Sequence, residues 1–529
     1  MLIAVSTLAL AAMDPEHMHE HSLQLGKLSF ETTCSPAAQG QFETGLRWLH
    51  SFEYRRAQQS FSQAAASDPG CGIADWGVAM SYYHPLWDGP TPPELAKGEE
   101  AIGKAKAAGA KSQREKDYIG ALDTFYRDAD RLDLKTRAFA YSDAMAQLHG
   151  RYPQDDEAAV FYALSLIATG TMDGDRAFGR QKHAGAILNE VLAKNPDHPG
   201  VAHYLIHSFD YPALADLALP AARRYATIAP DSAHAQHMPS HIFTRLGLWD
   251  EAISSNRAAE ASAIAYAKSS GIAGAWDQQL HAMDYLVYAY LQTGRDAEAQ
   301  QVWNELKMIR QADPPTRTVA YAVTAIPARL VLEQRQWREA ASLELPPNLA
   351  TLPALANQPW AVTHIHFARA VGAARSGNAE AARAEVAKLV ELERALVIRP
   401  GDYDWRKQVS IERQIAEAWI AHETGNDDDA LRLMRAAADL DDATEKNPVT
   451  PGAILPAREQ LGELLMTLHR PVEALAEYEA SLARAPRRLA GVSGAARAAK
   501  QAGNVEKAKL YAAELAELTS NGRELASHP

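Results

Sequence analysis

The chain has few of the features that mark membrane proteins and nucleic-acid-binding proteins. Among its 529 residues the net charge is −13, and after the first twelve residues no run reaches about 18 consecutive apolar residues, the length that spans a bilayer. The acidic balance leaves no basic stripe that could neutralise a phosphate backbone. We therefore expect no transmembrane segment in the mature protein and no nucleic-acid partner.

Several well-known catalytic signatures are also missing. The sequence contains no HExxH zinc-protease motif, no GxSxG nucleophile motif and no Gly-rich phosphate-binding or dinucleotide-binding loop. Because these motifs are absent, the sequence does not assign the protein to one of the common enzyme classes that they identify. Any chemistry has to come from another arrangement of side chains.

Cysteine is scarce. Cys34 and Cys71 are the two cysteines, and they lack the CxxC spacing that is typical of thiolate metal sites. In an oxidising compartment such a pair forms one disulfide, which would tie the N-terminal segment to the first helical pair; the alternative is two free buried thiols.

The N-terminal residues indicate export. MLIAVSTLALAA resembles the apolar core and cleavage zone of a secretory signal, and DPEHMHEHS follows it. Short His-rich tracts can capture metal ions, although a solvated tail is the alternative. We expect residues 1–22 to form a signal and His-rich segment, and the mature protein to be periplasmic or secreted.

What the sequence does contain is a repeat of about 34 residues. Apolar residues recur at helical spacing, followed by a loop, by A-x3-[aromatic or aliphatic]-x2-A and by a proline five residues later. Two clear copies carry this pattern at Gly45, Trp48, Ala57, Phe61, Ala64 and Pro69, and at Leu461, Gly462, Leu465, Ala474, Tyr478 and Pro486. These residues resemble the tetratricopeptide repeat. The resemblance implies an all-α helical solenoid, a superhelix of antiparallel helix pairs with a concave groove.

The repeats predict three regions after the N-terminal segment. Residues 40–342 hold the N-terminal and central repeats with a His-rich groove, and residues 360–520 hold the C-terminal repeats. Between them, residues 343–359 contain four prolines, which argue against a continuous helix. We interpret this break as a domain joint or as a loop that lies over the groove.

Two histidine pairs stand out within the repeats. HYLIH (His203–His207) and HMPSH (His237–His241) each place histidines at i and i+4, and the pairs are 34 residues apart. In the repeat register both pairs take the fifth and ninth positions of a first helix, which face the groove in the repeats that this chain resembles. Asp284 and Tyr288 take the same two positions in the next repeat.

This register predicts a metal site. Imidazoles at i and i+4 share one helical face and can reach one ion, and imidazole nitrogen suits Zn, Cu or Fe. We predict one or two transition-metal ions on His203, His207, His237 and His241, with two further candidate ligands, His50 and His84, brought across the groove. The alternative is a metal-free groove that binds acidic or aromatic ligands.

An open coordination position on such an ion could activate water, a substrate oxygen or dioxygen. The candidate catalytic groups for proton transfer are then His281, Asp284 and Glu53. His281 and Asp284 lie in the repeat that follows the second pair, whereas Glu53 lies three residues after His50 in an early repeat that can face the pairs across the groove.

Longer stretches resemble one family. HYLIHSFDYP, HMPSHIFTRLGLWDEAISSN and LHSFEYRRAQQSF are similar to a largely uncharacterised family of exported bacterial tetratricopeptide-repeat proteins. The resemblance implies an exported bacterial setting and supplies no reaction. Our leading hypothesis is a metal-dependent hydrolase or oxidase. The alternative is a non-enzymatic scaffold that binds a peptide or small molecule in the groove, or a metal carrier.

Overall fold

A computed structural model describes residues 23–86 and 89–520 of the chain. Within these residues the chain is an all-α solenoid of antiparallel helix pairs, so the predicted fold class is confirmed. The predicted signal and His-rich segment, residues 1–22, lies outside the described residues. Within the described ranges, every helix is too short or too polar to span a bilayer.

The N-terminal half of the solenoid carries the elements that surround the histidine pairs. Its helices are α1 (Pro36–His50), α2 (Tyr54–Ser67), α3 (Gly72–Tyr83), α4 (Pro92–Ala108), α5 (Gln113–Tyr126), α6 (Leu134–Arg151), α7 (Asp156–Met172), α8 (Gly179–Lys194), α9 (Pro199–Phe209), α10 (Ala215–Ile228), α11 (Ala233–His237), α12 (Pro239–Leu246) and α13 (Trp249–Ser269).

The C-terminal half continues with further pairs and two short parallel strands. Its elements are β1 (Ala275–Trp276), α14 (Asp277–Gln292), α15 (Asp296–Leu306), β2 (Ala312–Asp313), α16 (Arg317–Glu333), α17 (Trp337–Ala341), α18 (Pro347–Ala350), α19 (Pro353–Asn357), a 3₁₀ helix (Pro359–Val362), α20 (Thr363–Arg375), α21 (Ala379–Ala395), α22 (Trp405–Glu423), α23 (Asp427–Asp442), α24 (Ala457–Thr467), α25 (Pro471–Arg484), α26 (Leu489–Gln501) and α27 (Val505–Leu518).

Prolines set helix boundaries near the histidines. Pro239 begins α12, directly after α11, because a proline lacks the N–H that a continuing helix needs but fits the first helical turn. The HMPSH motif is therefore a pair of short consecutive helices with one histidine at the end of α11 and the other inside α12. In the Pro-rich break, α18 and α19 each begin at a proline and are only one turn long.

The disulfide prediction is confirmed. Cys34 and Cys71 are bonded, with their Cα atoms 5.0 Å apart. Cys71 is the residue before α3, so the bond ties the segment ahead of α1 to the start of the second helix pair.

Small residues let the helices approach closely, as the repeat pattern predicts. A Cβ atom added to Gly45 would lie 2.7 Å from the ring of Phe61.

We expect Gly45→Ala to lower the free energy of unfolding by about 1–3 kcal/mol, because the buried ring has no room to move. Gly103→Ala in α4 is the matched control: its Cβ meets nothing within 4 Å, and it should raise stability by about 0.5–1 kcal/mol. Urea unfolding measures both; equal effects would contradict this packing account.

The C-terminal repeats turn back onto the centre of the chain. Arg488, which is fully buried, donates hydrogen bonds to Tyr288 Oη (2.8 Å), Glu459 Oε1 (2.7 Å) and Glu333 Oε1 (2.8 Å). The contacts with Tyr288 and Glu333 join residues that are 200 and 155 positions apart in sequence. The solenoid is thus closed across its groove by buried charge.

A segment between α23 and α24 fills the groove. We call residues 443–456 the covering segment. Arg329 donates to its Gly452 and Ala453 carbonyls at 2.6 and 2.8 Å, and Tyr285 Oη donates to its Thr450 carbonyl at 3.2 Å. The groove above the predicted histidine site is therefore occupied by the chain itself.

Candidate metal centre

The structure divides the predicted histidines between two clusters. The first triad is His203, His207 and His234, and the second triad is His237, His241 and His281. Within each triad one nitrogen from each ring lies within 4.8 Å of the other two. The two pairs predicted from sequence do not form one four-histidine group: each pair is completed by a histidine from the first helix of the next repeat, α11 for His234 and α14 for His281.

The first triad has the geometry of a tridentate site. The Nε2 atoms of His207 and His234 lie 3.0 and 3.1 Å from His203 Nε2. His203 Nδ1 is 2.6 Å from the His50 carbonyl oxygen, so Nδ1 carries the hydrogen and the Nε2 lone pair faces the other two rings. Ligand bonds of 2.0–2.1 Å in a tetrahedral site place neighbouring nitrogens about 3.3 Å apart, close to this spacing.

The second triad repeats this arrangement. His237 Nε2 and His241 Nε2 are 3.0 Å apart, and the ring of His281 lies 4.1 Å from that of His237, centroid to centroid. His237 Nδ1 donates to Asn256 Oδ1 at 2.7 Å, and His241 Nδ1 donates to Asp210 Oδ2 at 3.0 Å. Both Nε2 lone pairs therefore point into the triad.

The two triads are equivalent in the repeat register. His234 precedes His237 by three residues, and His281 precedes Asp284 by three residues, so both occupy the second position of a first helix. Each triad consists of the fifth and ninth positions of one repeat and the second position of the next. The second position that His234 and His281 share is the sequence signal that identifies them as the third members of the triads.

The triads are direct neighbours and are buried. The ring centroids of His207 and His241 are 6.2 Å apart, as are those of His234 and His237. All six side chains are at most 8% exposed. Burial lowers the pKa of every one of the six, and that of His234 falls to about 3. At neutral pH the imidazoles are uncharged and can present lone pairs to a cation.

An acidic side chain supports the second triad. Burial opposes ionisation of Asp210, but Lys446 and Arg245 outweigh it and hold its pKa well below the usual range. Lys446 Nζ lies 3.1 Å from Asp210 Oδ2, and Arg245 Nε lies 2.8 Å from Oδ1. A carboxylate that accepts a hydrogen bond from the non-ligating nitrogen of a metal-bound histidine fixes the orientation of the ring and raises the basicity of the ligating nitrogen. Lys446 belongs to the covering segment, which thereby contacts this support.

His50 lies in a third cluster, with Glu157 and His198. Its Nε2 is 2.8 Å from Glu157 Oε2, and Tyr204 Oη lies 3.0 Å from its Nδ1; His198 Nε2 is 3.0 Å from Glu157 Oε1. Both nitrogens of His50 already have partners inside the protein. The structure thus places His50 beside the first triad, where its carbonyl orients His203, and outside either set of three nitrogens.

The remaining predicted residues surround the triads. His84 packs its ring 4.3 Å from Tyr54, and its Nε2 is 2.9 Å from the Ser81 carbonyl, so it also lies outside the triads. Glu53 is buried just before α2; burial raises its pKa, and Arg56 opposes that shift from 3.3 Å.

Asp284 lies on α14, one turn after His281. Burial raises its pKa to about 6, against the opposing charge of Arg329, whose Nε is 3.7 Å from Oδ1. A catalytic role for Asp284, Glu53 or His281 stays a prediction. The position of His281 within the second triad makes it a candidate ligand as well.

A cavity of about 1150 Å³ reaches the first triad. Its walls include Phe52, His84, His234, Trp276 and residues of the covering segment at Asn447 and Pro448. Among the described residues that line it, His234 is the member of the triads. The cavity therefore reaches the first triad, and the described residues that line it include no member of the second triad.

Comparison with known proteins does not assign the chain to a family. No family model and no curated protein matches it. The chain is similar at 12% identity to solved helical-repeat structures: the human IFIT1 dimer with m7Gppp-AAAA (91% of this chain, 95% of that chain, TM-score 0.39), yeast Tom70 (88% and 96%, 0.33) and the P58(IPK) TPR domain (88% and 98%, 0.22). At these TM-scores the likeness carries no functional argument.

Proposed function

We propose that this protein is a metalloprotein that binds two transition-metal ions, one on each triad, and uses the pair as a catalytic centre. The observation that carries the proposal is the repetition of one site: two sets of three buried imidazoles, related by the repeat. The Nε2–Nε2 distances are 3.0 and 3.1 Å from His203 to its two partners and 3.0 Å from His237 to His241. A structural helical array does not need such a pair.

The number of ligands favours catalysis over a purely structural role. Structural zinc sites are closed by four protein ligands, whereas catalytic sites keep three and leave a position open. Each triad supplies three nitrogens and no carboxylate. An all-imidazole set suits Cu or Zn better than Mg, Ca or Mn, and it lacks the carboxylate of two-histidine iron sites.

Charge favours copper. Two divalent ions would bring four positive charges among neutral imidazoles, and the carboxylate beside the second triad, Asp210, is already paired with Lys446 and Arg245. Because burying unbalanced charge is costly, two Cu(I) ions fit this environment better than two divalent ions in the resting state. A copper pair that cycles between oxidation states would make the protein an oxidase; a zinc pair would make it a hydrolase.

We also propose that the protein works outside the cytoplasm, in the periplasm or after secretion. The Cys34–Cys71 disulfide supports an oxidising compartment, where such bonds persist.

Metal analysis tests the proposal. Protein purified without an affinity tag, from cells supplied with copper or with zinc, should carry two ions per chain. A content under about 0.2 ions per chain after loading with either metal would overturn the proposal, because sites of three preorganised neutral imidazoles bind such ions strongly.

Metal retention should persist into mild acid. Protons compete with metals for imidazole nitrogen, but burial has lowered the pKa values of the six histidines, so competition begins below pH 6.5. Dialysis at pH 5.5 should leave both ions bound, as measured by metal content. Release of both ions between pH 7 and 6, with the fold intact by circular dichroism, would contradict the neutral buried state.

Asp210→Asn should weaken the second site selectively. The substitution replaces the anionic acceptor of His241 Nδ1–H with a neutral one. We expect about a 10- to 100-fold loss of metal affinity at the second triad and little change at the first, which serves as the internal control. Competition titration with a chromophoric chelator measures both sites. Equal weakening of the two sites would show that the effect is a general loss of structure.

The interaction scaffold is the second candidate. The cavity of about 1150 Å³ could admit part of a peptide, but the covering segment fills the groove above the triads. A partner recovered equally well by the native protein and by His237→Ala and His241→Ala variants would favour the scaffold.

A further inference from the structure

The cavity beside the first triad has walls suited to an aromatic ligand. Aromatic side chains line it at Phe52, Tyr54, Trp276, Trp360 and Tyr403. Among the described residues its charged lining is nearly balanced, with five basic and four acidic side chains: Arg55, Arg56, Lys97, Arg317 and Arg399, and Glu53, Glu94, Asp277 and Asp402. A cavity of this size and near-neutral charge fits an uncharged aromatic molecule better than a polyanion.

The Phe52 ring packs against all three imidazoles of the first triad. Its ring centroid lies 4.4 Å from that of His203, 5.5 Å from His207 and 5.6 Å from His234, and it also lines the cavity. Its backbone has φ of 53°, a conformation that is costly for a bulky side chain and that often marks functional sites. The chain holds an apolar ring, which is no metal ligand, over the three imidazoles.

The second triad is covered by different groups. Tyr285 Oη lies 3.3 Å from His241 Nε2, and its ring lies 4.7 Å from that of His237. The same hydroxyl donates to Thr450 of the covering segment, which closes this side. The open coordination position that an outside molecule can reach therefore belongs to the first triad.

We propose that the cavity binds a phenolic small molecule, whose oxygen atom coordinates the ion on the first triad, and that Phe52 gates its entry. The inference rests on the proposed function, because it needs an ion on His203, His207 and His234. An imidazole-bound ion with an open position takes an oxygen donor, and the aromatic walls hold the ring.

The test uses the full-length, zinc-loaded protein, in which the metal is redox-silent, and 4-nitrocatechol, whose visible absorbance shifts when its oxygens bind a metal. We expect one saturable binding event in the native protein. His234→Ala should abolish the shift, whereas His281→Ala, which removes a ligand of the second triad, should retain it.

The gate has its own matched pair of variants. Phe52→Gly keeps a backbone that favours positive φ and removes the ring, so the association rate by stopped flow should rise at least about tenfold. His84→Gly makes the same exchange at another positive-φ residue of the cavity wall (φ 48°) that does not touch the triad, and its rate should stay native.

The outcomes separate this inference from the proposed function. A zinc-loaded protein that binds no 4-nitrocatechol, a shift that survives His234→Ala but not His281→Ala, or an unchanged rate in Phe52→Gly would overturn the cavity site or its gate while the metal sites stand. A protein that takes up no metal would overturn the proposed function, and this inference with it.

Discussion

His234→Ala and His281→Ala should each reduce the metal content from two ions per chain to one. Each substitution leaves its triad with two imidazoles and leaves the other triad complete. Two neutral nitrogens bind a transition-metal ion far more weakly than three, so the truncated site should empty during desalting. Metal analysis of each variant, and of the double variant with no ion expected, measures the effect.

The control for these variants is His149→Ala. His149 lies on α6 against Tyr162 and belongs to neither triad, so both ions should remain. If either single variant lost both ions while its circular dichroism stayed native, the result would show that the two ions belong to one shared centre and not to two separate sites.

Arg488→Ala should cause the largest loss of stability. The guanidinium is fully buried and pairs with Glu459 and Glu333, so its removal leaves two carboxylates without their cation. Burial already raises the pKa of Glu459, and Arg488 opposes that shift. We expect the free energy of unfolding to fall by about 3–5 kcal/mol, the usual effect of removing one partner of a buried ion pair.

Urea unfolding followed by circular dichroism measures this loss. Arg497→Ala is the matched control, because Arg497 also pairs with a glutamate, Glu463, but is 45% exposed; it should cost about 0–1 kcal/mol. A loss below about 1 kcal/mol for Arg488→Ala would mean that the buried charges do not hold the C-terminal repeats to the centre.

Local periodicity explains what the sequence could predict. Within one repeat, the spacing of residues along the chain determines where they lie on a helix. This is why the sequence predicts the helix pairs, the small residue at Gly45 and the shared helical face of His203 and His207. The third member of each triad depends on contact between adjacent repeats. His234 and His281 share one register position, so the sequence does contain a signal for the third ligand of each triad. Using that signal requires combining positions from the first helices of two adjacent repeats.

The rest depends on how far the superhelix curves. The covering segment meets Tyr285, and Arg488 meets Tyr288, because the solenoid closes on itself, and small rotations summed over many repeats decide that closure. No local pattern reports that sum. For the same reason, sequence placed His50 and His84 in the site, whereas the structure places one in the network behind His203 and the other on the cavity wall.

The most direct measurement is a crystal structure of the copper-loaded protein with anomalous scattering recorded at the copper edge. The account predicts two anomalous peaks, one within about 2.0–2.1 Å of the Nε2 atoms of the first triad and one equally close to those of the second. A single peak shared between the pairs, or no peak at either triad in a protein that contains copper, would contradict it.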